Sequence, residues 1–131
     1  FVVPIDFIND TASSSGGGYR LNSRLMESPI APTISSGFGT SPSIAANNGT
    51  HGFTVNVGSG GSATTGVIGL TTSTTGWVCV CNDLAAAVGL QITKQSASST
   101  TSCTVAGVSS ATGQALAWSA SEVLYCTAHP F

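Results

Sequence analysis

The sequence predicts an all-β fold, an antiparallel β-sandwich of jelly-roll type with an extended N-terminal arm. Three observations predict it. Beyond position 35 the chain breaks into short runs in which apolar residues alternate with hydroxyl or amide residues, the period of a strand with one buried face. Clusters of Gly, Ser, Thr and Asn separate the runs, and strands of this kind need a second sheet to cover their apolar faces. The chain has 131 residues, enough for one domain that buries about two-thirds of the surface its unfolded form exposes.

Taken in order, residues 1–8 read FVVPIDFI, β-branched and aromatic with Pro4 inside, which marks an edge strand or an irregular one. Residues 9–18 (NDTASSSGGG) have no periodicity and end in three glycines, the composition of a flexible linker. Residues 19–26 (YRLNSRLM) read as irregular, and Pro29 and Pro32 stop any helix there. Residues 1–33 are therefore expected to form strand, linker and arm, and residues 34–131 the sandwich. Within it the expected strands are 52–57, 66–70, 76–81, 88–94, 102–108 and 122–128. Residues 83–88 and 113–120 have some helical character but are too short for more than a turn or so, and read as loops.

Composition excludes several functions. Only 6% of residues are charged, against about 25% in an average soluble protein, while 20 serines and 17 threonines supply a hydroxyl surface. With three Lys and Arg in all, nucleic acid is not an expected partner. No apolar run approaches the roughly 20 residues of a membrane-spanning helix, so membrane insertion is not expected either. A net charge of −2 gives little self-repulsion and favours association. Residue 1 is Phe, read as a processing product or the edge of a longer chain, and no signal peptide is recognisable in the chain.

Cys79, Cys81, Cys103 and Cys126 all fall in expected strands. Cys79 and Cys81 point the same way and are poorly placed to bond each other. Disulfides would join their strand to those of Cys103 and Cys126; the rival readings are four buried thiols or, more weakly, a metal site. Trp77 and Trp118 are core residues or ligand-stacking platforms. Asn9 (NDT) and Asn48 (NGT) match the glycosylation rule. His51 and His129 read as solvated or interfacial, the five carboxylates are scattered, and GSGG at 58–61 is a hairpin turn. No catalytic residue, metal ligand or cofactor site is expected, and the chain is not read as an enzyme.

The segments ISSGFGTSPSI (34–44), NGTHGFTVNVGSGGSATTGVIGL (48–70), the central GWVCV and the closing EVLYCTAHPF carry a resemblance. Over residues 34–131 the chain resembles the terminal β-sandwich modules of tail fibres and other virion appendages of tailed bacteriophages. The resemblance implies homo-oligomeric fibres, adhesion to surfaces and no shared catalytic residue. The leading expectation is a structural, self-assembling subunit of a viral appendage or extracellular filament, virion-borne or extracellular. It would associate with copies of itself, as a trimer or helical filament, through sheet edges and an N-terminal strand whose Phe1, Val3, Ile5 and Phe7 fill pockets. The alternative is an adhesion module that binds a cell-surface glycan or receptor with Trp or Tyr and loop hydroxyls.

Overall fold

Alternation along WVCVCND places Trp77, Cys79 and Cys81 on one face and Val78, Val80 and Asn82 on the other, and burial in the folded chain follows that period without a break. In the computed structural model, which describes residues 19–21, 24–84 and 91–131, such strands are the only regular elements. They are β1 (Tyr19–Leu21), β2 (Arg24–Glu27), β3 (Thr33–Gly37), β4 (Ser43–Asn47), β5 (Phe53–Asn56), β6 (Thr65–Gly69), β7 (Trp77–Asp83), β8 (Gln91–Ser98), β9 (Ser102–Ser109) and β10 (Val123–Pro130). Strands β1 and β2 pair with each other; the rest form two antiparallel four-stranded sheets, ordered β4-β5-β10-β7 and β3-β6-β9-β8.

Both sheets feed one hydrophobic cluster. Phe53, Val55, Leu124 and Trp77 come from the first sheet and Ile68 and Val105 from the second, none more than 1% exposed. Phe38, between β3 and β4, closes one end with its ring 5.3 Å from that of Trp118. Its ring lies on the Cα of Gly66, where an added Cβ would sit 2.1 Å from the phenyl, so only glycine fits at 66.

One flank of the sheet pair is closed by side chains. Leu84 N–H bonds Val123 O, and Phe131 N–H bonds Gly76 O, so the even-numbered residues of β7 face β10. Trp77, Cys79 and Cys81 turn their main chain outward, toward β8 of the other sheet. There Trp77 N–H donates to Ser98 Oγ at 2.9 Å, Cys79 N–H donates to Gln95 Oε1 at 2.7 Å, and Gln95 Nε2 donates back to Trp77 O at 2.8 Å. Thr93 Oγ1 donates to Cys81 O. A bulge between Gln95 and Ala97 shifts the phase of β8 by one residue, which brings Ser98 to this flank in place of Ala97.

Some elements differ from expectation. Residues 19–26, read as irregular, carry β1 and most of β2, whose pair closes on Tyr19 and Glu27. Strands β3 and β4 were not anticipated, because TISSG and SIAAN each carry a single isoleucine and show no apolar period. Strand β8 is described from Gln91 and runs on to Ser98, past the expected end at 94; residues 85–90, with the expected start at 88, lie outside the described set. Ser28, assigned to the arm, is 2% exposed and bonded to Thr50, so the packed body reaches back at least that far.

Candidate functional site

The turn NNGTHG builds the site. Gly49 adopts φ +58°, and a Cβ there would lie 2.0 Å from Ser28 O, so the tight crossing of these segments requires glycine. Thr50 is the hub: its N–H donates to Ser28 O at 2.8 Å, its Oγ1 accepts Ser28 N–H at 3.0 Å, and its carbonyl accepts Ala128 N–H at 2.9 Å. With Thr50 anchored, Asn48 and His51 on either side stand exposed at the surface.

Opposite them, Tyr125 projects from the outer face of β10 and is 40% exposed. Its phenol lies across Gly52, where an added Cβ would be 2.8 Å from Oη and 3.4 Å from the ring. Ala46, Asn47, Asn48, His51, Gly52 and Tyr125, floored by Phe53 and Thr54, enclose an open concavity of about 280 Å³. His51 Nδ1 lies 2.9 Å from Glu27 Oε1. A carboxylate oxygen accepts, so Nδ1 is the donor in this contact and Nε2 faces away from Glu27. The concavity thus offers the phenol ring of Tyr125, the primary amides of Asn47 and Asn48, and the imidazole of His51. That set suits a ligand rich in neutral hydroxyl or amide groups.

The cysteines form two disulfides, Cys79–Cys103 and Cys81–Cys126, so the thiol and metal readings of these residues are corrected. Cys81 and Cys126 are register partners on adjacent strands, with Cα atoms 4.1 Å apart, while Cys79–Cys103 ties one sheet to the other. Trp77 and Trp118 are 0% and 2% exposed, so the stacking reading is also corrected: each indole fills the core and shows no face to a ligand. Among the described residues no cluster of His, Cys, Asp and Glu is arranged to hold a metal ion.

Asn48 is exposed, but the hydroxyl of its NGT triplet, on Thr50, is turned inward at 1% exposure. Phe1, Val3, Ile5, Phe7 and Asn9 lie outside the described residues. His129 is exposed on β10 opposite Val78. Among the described residues the one strongly buried carboxylate is Glu122, 1% exposed. Burial pushes its carboxyl above the usual range; the hydrogen bond from Ser119 N–H pulls it back and the charge of Asp83 pushes it further up. Residue-by-residue reading did not single out Tyr125, Asn47 or Gly52; the signal for Tyr125 was its place out of phase with the apolar residues of VLYCTA. Comparison with protein-family models, curated proteins and solved structures returns no match.

Proposed function

We propose that this chain is an adhesion module, exposed on a virion or outside a cell, that holds a neutral surface carbohydrate in the Tyr125 concavity. The observation that carries the reading is an outward-facing tyrosine, backed by a glycine, in a cleft whose polar groups are amides, a phenol and an imidazole. Sugars present apolar C–H faces ringed by hydroxyls, and such a cleft matches both parts. Two disulfides favour an oxidising compartment, and the resemblance to bacteriophage appendage modules agrees with that location. The finer fold reading is a β-sandwich with an N-terminal arm. Its eight strands in two sheets have the strand number of a jelly roll, with β4–β5 and β8–β9 as the hairpins made within a sheet.

The test is a titration against an array of immobilised neutral oligosaccharides. A binder should lose at least about tenfold in affinity when Tyr125 is replaced by Ala, the loss expected of an aromatic anchor. Glycan binding unchanged in both Tyr125→Ala and Asn48→Ala would end this reading.

The second reading is the structural, self-assembling subunit of an appendage or filament. It is favoured by the contrast between the side-chain-closed β7/β8 flank and the opposite flank, where no residue of β3 or β4 is fully buried. Neither reading is enzymatic.

A further inference from the structure

The β3/β4 flank is built to receive a strand. Ile34 on β3 and Ile44 on β4 pack against the core yet are only partly buried, and every other residue of the two strands is exposed. Among the described residues nothing pairs with the outer side of β4. Its main-chain phase follows from the rest of the sheet. Cys126, opposite Cys81, turns toward β5, so Phe53 and Val55 bond β10 while Thr54 and Asn56 face β4. Ile44, opposite Val55, therefore directs its N–H and C=O away from the sheet. Beyond it Ala45 and Ala46 together oppose Thr54 in a β-bulge, with Ala46 N–H donating to Thr54 Oγ1, so the regular outward phase runs through Ile44 and shifts by one residue after it. On the β3 edge, the hydroxyls of Thr33 and Ser35 lie over Gly69 of the neighbouring strand β6.

Residues 1–8, FVVPIDFI, carry a sequence pattern that matches such an edge. Pro4 has no N–H and fits a strand only where that position faces away from the ladder. Asp6 shares its parity and belongs in water. Both constraints select the same phase: Val3, Ile5 and Phe7 would bond the acceptor edge, and the face made by Phe1, Val3, Ile5 and Phe7 would turn inward. That face would complete the cover over Ile34 and Ile44.

We infer that residues 1–8 of a second copy of this chain add as an edge strand to β4. The inference rests on the self-assembly reading. Residues 9–18 have the composition of a flexible linker, and ten such residues would span roughly 17 Å, enough to reach a neighbouring copy. Because donor and acceptor are different surfaces, each copy gives one strand and takes one, and the contact is head-to-tail: it closes into a ring or runs on as a filament. The closed β7/β8 flank takes no part.

Light scattering across a concentration series gives the native mass of the full chain and of a chain lacking residues 1–8. The inference expects multiples of 13.0 kDa for the first and a monomer for the second. A synthetic FVVPIDFI peptide should then bind the truncated chain one to one, and at least tenfold more weakly when that chain carries Ile44→Pro or Ala45→Lys. Ala45→Lys keeps the test sound should Ile44→Pro fail to fold. Peptide binding indifferent to both substitutions, or a truncated chain that stays assembled, overturns the β4 assignment and leaves self-assembly standing. A full chain that is monomeric at every concentration overturns both, and if truncation then lowers its stability, the segment covers its own domain.

Discussion

Glu122 carries a carboxyl into the edge of the core with one oxygen bonded to Ser119 N–H and the other, Oε1, without a protein partner. Burial makes the charged form costly there, so its pKa in the folded chain stands above the value in the unfolded chain. The folded state then binds this proton more tightly than the unfolded state. Glu122's contribution to stability is fully present below the unfolded pKa and is lost as pH rises through the folded one. Unfolding by denaturant should accordingly show a Glu122 component that favours the fold as pH falls from 7 towards 5. Glu122→Gln should flatten that component and be at least as stable as the parent at pH 7, because the amide oxygen still accepts from Ser119. A pH profile of denaturation midpoints for the two proteins checks this. Tyr125 and Gly52 show the same dependence on neighbours: a strand tyrosine becomes a cleft wall because the residue beside it has no Cβ to push the ring away.

Strands β5, β6, β7, β9 and β10 were legible as short β-branched and apolar runs between turn clusters; in β5 and β10 the period-two apolar set also fixes the buried side, whereas in β7 Val78 and Val80 make the outer face apolar too. Strands β3 and β4 were not, since one isoleucine in five residues sets no period; they are strands because Ile34 and Ile44 align with Ile68 and Val55 on their neighbours. In β8 the hydroxyl and amide side chains that looked like surface polarity are turned on the margin of β7. Gln95 is the centre of that seal, accepting from Cys79 N–H and donating to Trp77 O. Gln95→Ala should cost about 1–2 kcal/mol, the range for losing such bonds at a partly wet edge. It should also leave an unpaired strand margin that promotes association. Denaturation midpoints measure the first effect, and the rise of light scattering with time measures the second.

At the scale of the whole molecule, the two disulfides close chain separations of 24 and 45 residues, each worth roughly 3–4 kcal/mol on the chain-entropy account. Both sit inside a core whose other walls are strands from two different sheets. Refolding the reduced chain should therefore give a protein several kcal/mol less stable than the oxidised one, read as a lower guanidinium midpoint with tryptophan emission as the signal. The sequence by itself determined what is local: an all-β chain, most of its strands, their inward faces, and a hydroxyl surface with little charge. Only the tertiary structure decided which cysteines join, that both tryptophans are core, that Tyr125 meets the 48–52 turn, and that side chains seal the β7/β8 flank while among the described residues nothing pairs with the outer side of β4. The physical reason is range. Side-chain alternation is set by neighbouring residues, whereas pairing, register and the making of a cleft depend on contacts between segments far apart in the chain, which no local pattern encodes.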